Sequence, residues 1–121
     1  MANYKTLDVW LQSMQLVNEV YNLMKKYPKD EQYGLVSQSR RAVVSIPANI
    51  AEGIGRNHKK ETVQFLHIAR GSAYETETLL EVALMVGILS TTDVVVVNAL
   101  IQKCLQLING MIRFYEKENL K

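Results

Sequence analysis

Apolar residues recur at three- and four-residue steps along almost the whole of this chain, a spacing that places them on one side of an α-helix. The first segment contains the series Leu7, Trp10, Leu11, Met14, Val17, Tyr21 and Met24. Three further segments of this kind follow, separated by short stretches that contain proline or glycine. Because short connections bring the four apolar stripes together, the pattern predicts an all-α fold, an antiparallel up-and-down four-helix bundle.

Capping and helix-breaking residues predict where the four helices begin and end. The expected ranges are about 6–26, 30–52, 58–86 and 91–117. Thr6 is the expected N-cap of the first helix, and either Ser90 or Thr91 is the expected N-cap of the fourth. Gly53 is expected just beyond the second helix, at the position that favours a left-handed backbone, and Gly87 is expected to close the third.

Length and composition fit a single domain over residues 1–121. Hydrophobic residues make up 48% of the chain and charged residues 21%, a balance typical of globular proteins rather than of disordered chains. The one cysteine, Cys104, leaves no internal disulfide and is expected to be a small core residue. Because the sequence shows no continuous apolar run of about 18–20 residues and no signal-like N-terminus, we expect a cytoplasmic protein with no membrane partner.

The segment VSIPANIAEGIGR places a proline and two glycines in a part of the chain that otherwise has helical spacing. Pro47 removes a backbone donor and crowds the preceding turn, so the second helix is expected to be kinked there. Gly53 and Gly55 are expected to end that helix.

Four side chains of the second helix share one face, because they are separated by four, four and three residues: Arg41, Ser45, Asn49 and Glu52. Three roles are open to this polar stripe. It can be a solvated face, it can satisfy backbone groups at the kink, or it can be an interface or ligand-binding face.

The fourth helix is apolar over roughly half of its circumference, whereas a core contact needs a stripe of roughly 100°. This width fits a helix that is enclosed on all sides, and it also fits a helix that contacts a second subunit. Since large apolar patches are uncommon on the surfaces of monomers, we prefer the second arrangement, and the sequence predicts a homo-oligomer.

Positive charge is concentrated in the middle of the chain, although the net charge is only +2. Residues 40–70 hold six basic side chains against Glu52 and Glu61. Part of this charge stands at the start of the third helix, where the helix dipole disfavours cations. The side chains predicted to contact RNA or DNA phosphates are Arg41, Arg56, Lys59, Lys60, His67 and Arg70. The alternative is a basic face that is simply solvated.

No pattern in the sequence indicates an enzyme or a metal centre. A di-metal site in a helical bundle needs Glu-x-x-His pairs, but the residue three before His67 is Gln64 and the residue three before His58 is Gly55. The GIG sequence at 53–55 lacks the strand and the glycine spacing of a nucleotide-binding loop. We therefore expect no metal, no cofactor and no small-molecule substrate.

Three stretches, YKTLDVWLQSM, YGLVSQSRRAVVSIPANIAEGIGR and FLHIARGSAYETETLL, resemble the bacterial four-helix-bundle family of proteins encoded within intervening sequences of 23S rRNA genes. The resemblance covers about residues 4–115 and implies a ring-like homo-oligomer, with a pentamer as the expected size. A more distant similarity is to the accessory variability determinant of diversity-generating retroelements, whose role is not carried over. Because family members often have a serine where this chain has His58, either Asn57 or His58 is expected to cap the third helix.

Two functions from different classes are compatible with these features. In the first, the protein is an oligomeric accessory factor that associates with RNA or DNA through a basic face on helices two and three. In the second, it is an oligomeric scaffold that binds another protein, and its charges serve solubility.

Overall fold

Four α-helices make up most of residues 3–119, the part of the chain that this computed structural model describes. They are α1 (Asp8–Met24), α2 (Leu35–Ile54), α3 (Lys59–Met85) and α4 (Val95–Asn119), with short 3-10 helices at Tyr4–Thr6 and Lys29–Glu31. No strand occurs between residues 3 and 119. Each helix packs against the next and α4 packs against α1, so α1 and α3 occupy opposite corners. The prediction of an all-α four-helix bundle is confirmed.

The core is formed by the inward side of all four helices. Its fully buried side chains include Leu16, Val43, Ile46, Ile50, Leu66, Leu80, Ile101 and Ile108. Cys104 lies among them with no exposed surface, as predicted. Burial, and to a lesser extent the charge of Asp8, raises the pKa of the Cys104 thiol to about 11. This side chain is therefore an uncharged core residue at neutral pH, not a nucleophile.

The backbones of α2 and α3 come very close at Gly53. A Cβ atom at this position would lie 2.9 Å from the Cβ of Phe65 and 3.2 Å from the carbonyl oxygen of Thr62. The Thr62 hydroxyl donates a hydrogen bond of 2.7 Å to the Gly53 carbonyl, which joins the two helices at the same point. Glycine is required here because any side chain would meet atoms that cannot move without the backbone.

The expectation that Gly53 stands beyond the end of the second helix is therefore wrong. The helix continues to Ile54, and Gly55 is the C-cap with φ −74°, a right-handed conformation open to any residue. A glycine that ends a helix and a glycine that allows close packing look the same in the sequence. Only the position of α3 distinguishes them.

Gly87 has the role that the sequence predicts. Its φ of +83° is the one positive φ among the described residues, and it follows the last turn of α3. The Ile88 amide donates to the Ala83 carbonyl at 2.9 Å and the Gly87 amide donates to the Leu84 carbonyl at 3.1 Å. These two bonds form a Schellman motif, which satisfies carbonyl groups at the end of α3.

Three helices begin later than the sequence predicts: α1, α2 and α4. The N-cap of α1 is Leu7 rather than Thr6, because Thr6 belongs to a preceding 3-10 helix and its hydroxyl donates to the Asn3 carbonyl. The α2 helix begins at Leu35 rather than near Asp30, which lies in the second 3-10 helix. The Glu31 carboxylate accepts a hydrogen bond of 3.1 Å from the Leu35 amide, so an acidic side chain caps the true start of α2.

Ser90 caps the turn that leads into α4. The Asp93 carboxylate accepts from the Ser90 amide at 2.8 Å, and the Ser90 hydroxyl accepts from the Asp93 amide at 3.3 Å, a reciprocal pair of the capping-box type. Residues 91–94 form turns, and the α-helix itself begins at Val95. The Lys26 ammonium group contacts the Asp93 carboxylate at 2.6 Å, which ties the end of α1 to the start of α4.

α2 passes through Pro47 as one element from Leu35 to Ile54, and the kink expected at that residue stays a prediction.

Between residues 3 and 119, one segment is long and apolar enough to cross a membrane, judged by length and composition alone: Val95–Lys117 of α4. The core helix of a soluble protein passes the same test.

The link between Lys26 and Asp93 predicts a specific pH dependence. Hydrogen bonds from Lys26 and Ser90 lower the pKa of Asp93 from 3.8 to about 2. Because this pKa is depressed on folding, its stabilisation is complete above pH 4 and is lost as the pH falls through 2. Asp93→Asn should therefore lower the melting temperature at pH 6, and the gap between the two proteins should narrow as the pH falls towards 2. Asp30→Asn is the matched control, and an equal gap at both pH values would contradict the assignment.

Candidate nucleic-acid interface

Exposed basic side chains lie in the first turn of α3. Lys59 and Lys60 occupy the first turn, and His58 is the N-cap residue, one of the two alternatives that the sequence left open. The His58 side chain makes no capping hydrogen bond. From 59 to 74 the only acidic residue is Glu61. Cations at this position lie beside the positive end of the helix dipole, which opposes them.

Arg56 is held in the turn between α2 and α3. Its guanidinium group contacts the Glu52 carboxylate at 2.9 Å and lies 4.8 Å from the centre of the Phe65 ring. Both side chains of the ion pair are about half exposed, so the pair adds little to stability. Its effect is to orient the guanidinium group near the start of α3 while leaving part of it accessible.

Arg70 is the most constrained cation of the group. Its guanidinium group donates a hydrogen bond of 2.9 Å to the Asn109 amide oxygen on α4 and contacts Nδ1 of His67 at 2.7 Å. Because a guanidinium group can only donate, Nδ1 of His67 is the acceptor in this contact. His67 is exposed and Arg70 is half-buried, so the pair lies at the groove between α3 and α4.

The structure separates Arg41 from the other predicted contacts. Arg41 lines a groove of about 320 Å³ between α2 and α3, together with Gln38, Ser45 and the acidic Glu75. Glu75 lies about 22 Å along α3 from Lys60 at 1.5 Å per residue. We therefore define the basic face as Arg56, Lys59, Lys60, His67 and Arg70. Arg70 borders α4 through its bond to Asn109, and Arg56 contacts Glu52 at the end of α2, so neither lies beside the part of α2 that contains Arg41.

The contribution of α4 to the basic face is not visible in the sequence. Asn109 orients Arg70 from a helix whose apolar face is expected to contact a second subunit. Gln102 of the same helix donates a hydrogen bond of 2.7 Å to the Glu77 carboxylate on α3. Both amides belong to the polar side of α4, and their spacing of seven residues is a signal that they share a face. What the spacing does not reveal is that α3 lies beside that face.

The polar stripe on α2 divides into two parts. Ser45 and Asn49 are half-buried: the Ser45 hydroxyl is 2.8 Å from the Ser72 hydroxyl on α3, and the Asn49 amide group donates to the Ser45 carbonyl at 2.8 Å and hydroxyl at 2.9 Å. Arg41 and Glu52, at the two ends, are exposed. The middle of the stripe therefore joins α2 to α3. The carbonyl that accepts from Asn49 is that of Ser45, not that of Val43, which is the one that Pro47 leaves without its helical donor.

Apolar grooves lie on both sides of α1, on the opposite side of the bundle from α3. The groove towards α2 is lined by Tyr4, Trp10, Met14, Val44, Pro47, Ala48 and Ala51. The groove towards α4 is lined mainly by Leu7, Val9, Leu107, Gly110 and Met111. Further along the outer side of α4, Val96 and Phe114 are each more than half exposed. These grooves adjoin α1, whereas Lys59, Lys60, His67 and Arg70 lie on α3, a helix that also exposes the apolar Ile68.

The basic face carries charged side chains that can bind an anion. Between residues 3 and 119 no group of three or more His, Cys, Asp or Glu side chains is placed to hold a metal ion. What the basic face offers is guanidinium and ammonium donors on a helical surface, which suit phosphate oxygens.

Comparison with known proteins identifies close structural relatives. A family model described as 23S rRNA-intervening sequence protein matches residues 5–110. The crystal structure of a protein with unknown function from the S23 ribosomal protein family of Bacteroides thetaiotaomicron VPI-5482 matches with a TM-score of 0.78. The two chains are 25% identical, and the match covers 86% of this chain and 97% of that one. No curated protein matches the chain.

The Arg70–Asn109 bond predicts a measurable contribution to stability. Asn109→Leu removes the acceptor and leaves a half-buried guanidinium group short of one partner, which should cost about 1–3 kcal/mol in the free energy of unfolding. Gln106→Leu, an exposed amide one turn nearer the start of α4, is the matched control and should change stability by less than about 0.5 kcal/mol. Urea unfolding of the three proteins checks this, and equal effects of the two substitutions would contradict it.

Proposed function

Since the chain belongs to the family of 23S rRNA-intervening sequence proteins, we propose that it is a non-enzymatic, homo-oligomeric protein that associates with ribosomal or other RNA, or with DNA, through the basic face. The face is defined above by Arg56, Lys59, Lys60, His67 and Arg70. Its place of action is the bacterial cytoplasm.

The observation that carries this proposal is the placement of cations where helix stability opposes them. Two lysines in the first turn of α3 act against the helix dipole by roughly 0.3–1 kcal/mol each. A basic side chain in that turn brings a cation next to the free N–H groups of the helix start, and the combination is suited to phosphate. The sequence thus has cations where a solvated helix would be more stable with acidic residues.

The surroundings of the basic face support contact with a nucleic acid. Tyr74 lies one turn beyond Arg70 on α3, and its side chain is 49% exposed. An exposed aromatic ring beside a basic surface can stack on an unpaired base. None of these contacts reads a base sequence, so binding should depend on charge more than on sequence.

Self-association would use the other side of the molecule. A ring requires two different surfaces that fit each other, since each subunit contacts its neighbours head to tail. The apolar surfaces on the two sides of α1 are the candidates for this pair. Because α3 lies at the opposite corner from α1, assembly through these grooves would leave the basic face of every subunit exposed. A pentamer would then multiply a weak phosphate-binding surface fivefold.

A second candidate function is favoured by the same apolar grooves. A protein scaffold would bind another protein where Trp10, Met14 and Val44 meet, and would use the basic face only for solubility. The two functions differ in what they require of α3, because only the first depends on its charge.

The nucleic-acid proposal predicts a charge-dependent interaction. The wild-type protein should retain fragments of 23S rRNA at low salt, with affinity that falls by a log–log slope of roughly 0.7–0.9 per phosphate neutralised. Replacing Lys59 and Lys60 together by Glu should abolish retention and leave the bundle folded. The matched control replaces Lys5 and Lys103 together by Glu, two exposed lysines outside the basic face, which changes the net charge by the same amount and should leave binding close to that of the wild type.

Filter binding and gel shift across a salt series, with circular dichroism of each variant, measure both properties. Absence of retention by the wild type even at low salt would refute the nucleic-acid function and leave the scaffold function. Equal loss in the two double variants, whose net charge is the same, would show that net charge, rather than the basic face, is responsible.

The oligomer is tested separately. Light scattering at micromolar concentration should give a multiple of the 13.8 kDa chain mass, with five copies as the expected number. Met14→Glu places a charge in the groove between α1 and α2 and should reduce the mass towards that of one chain, since a buried unpaired charge is costly. Met85→Glu, at a methionine that is 79% exposed at the end of α3, should leave the mass unchanged. A wild-type mass of one chain would contradict the prediction.

A further inference from the structure

A separate cavity of about 350 Å³ opens where α1 turns into α2. Its floor is formed by buried side chains of Met24, Tyr27 and Val36, and its rim by exposed or half-exposed ones. The remaining lining residues are Tyr21, Lys25, Pro28, Lys29, Gln32 and Arg40. At about 24 Å along the axis of α2 from Arg56, this cavity is distinct from the basic face.

Three cations surround the cavity, and no carboxylate lines it. Lys25, Lys29 and Arg40 come from three different elements, and none forms an ion pair with a described residue, whereas the neighbouring Lys26 is paired with Asp93. A cation near the end of α1 is favoured by the helix dipole, which accounts for Lys25 alone. The three cations together produce a positive electrostatic potential over the floor of the cavity.

Tyr27 adds a polar group that the fold leaves without a partner. Its side chain is only 8% exposed, and its hydroxyl makes no hydrogen bond with the described protein atoms. Burial raises the pKa of Tyr27, which keeps the phenol protonated and able to donate. An unpaired buried hydroxyl is destabilising, and a bound acceptor oxygen would remove that cost. Because the hydroxyl oxygen has less than 1 Å² of accessible surface, the side chains around the cavity floor must move aside for a ligand to reach it.

The rim also provides a flat surface. The Arg40 guanidinium carbon lies 5.5 Å from the centre of the Tyr21 ring, in a cation–π arrangement. Tyr21 itself is 39% exposed. An aromatic ring beside an apolar floor accommodates the planar, carbon-rich part of a ligand, and the three cations accommodate its charge.

We propose that this cavity binds the phosphate monoester of a nucleotide, with Arg40, Lys25 and Lys29 around the phosphate, Tyr27 as a hydrogen-bond donor and Tyr21 beside the base. A cavity of about 350 Å³ has room for more than an inorganic anion and lies within the size range of small-molecule sites. The monoester can come from a free nucleotide or from the 5′ end of an RNA strand. The site goes beyond the basic face and does not depend on it.

Titration calorimetry with uridine 5′-monophosphate, uridine and inorganic phosphate tests the proposal. The nucleotide should bind, inorganic phosphate should bind more weakly and compete with it, and uridine should not bind. Arg40→Gln should weaken nucleotide binding at least about tenfold, since it removes a charged hydrogen-bond donor. The matched control, Arg113→Gln on α4, should have no effect. The proposal would be overturned if the nucleotide produced no heat in calorimetry and no chemical-shift change in an NMR titration. Equal loss of nucleotide affinity in Arg40→Gln and Arg113→Gln would also overturn it.

Tyr27→Phe separates binding from folding. Removing an unpaired buried hydroxyl should leave the melting temperature unchanged or higher, whereas nucleotide affinity should fall severalfold. A lower melting temperature together with unchanged affinity would show that the hydroxyl has a structural partner and would overturn its assigned role.

The source of the monoester is decided with two hexaribonucleotides that differ only in a 5′-phosphate. Tighter binding of the phosphorylated strand, lost in Arg40→Gln and retained when Lys59 and Lys60 are replaced by Glu, indicates an RNA end. Equal binding of the two strands alongside tight mononucleotide binding indicates a free nucleotide. Because the second variant removes the basic face, failure of either site is recognised independently of the other.

Discussion

The close contact between α2 and α3 at Gly53 is the constraint on which the rest of the bundle depends. A methyl group at this position would lie 2.9 Å from Phe65 Cβ, so the two backbones can approach this closely only because the residue is glycine. The Thr62 hydroxyl then reaches the Gly53 carbonyl, and nearer the middle of α2 the Ser45 and Ser72 hydroxyls meet. This spacing fixes the position of α3, and α3 carries the basic face and supports α4.

The position of α3 also determines how charge and apolar surface are distributed. With α3 at the corner opposite α1, its exposed cations lie far from the apolar grooves on either side of α1. A subunit interface and a phosphate-binding surface compete for the same area in most small proteins. In the oligomer proposed above, the grooves beside α1 would be covered and the cations of α3 would stay exposed, which is what multivalent binding to a polyanion needs.

Helical periodicity was sufficient to predict the four helices, the buried Cys104 and the left-handed Gly87, because each depends on spacing or on local backbone geometry. The motifs also indicated the family that the comparison confirms. Properties that depend on a neighbouring helix could not be predicted. Gly53 was assigned to a helix end, and Arg41 was grouped with Lys60 although four turns of α3 lie between them. The partnership of Arg70 with Asn109 joins residues far apart in sequence, which no local pattern reveals.

Replacing each of two helical glycines by alanine tests the central claim most directly. At Gly71 on α3 nothing lies within 4 Å of an added Cβ, so Gly71→Ala should raise the free energy of unfolding by about 0.5–1 kcal/mol through helix propensity. Gly53→Ala gains the same propensity but must separate α2 from α3, and we expect a net loss of about 1 kcal/mol or more in urea unfolding. Stabilisation by both substitutions would contradict the account, because it would show that α2 and α3 do not depend on close contact at Gly53.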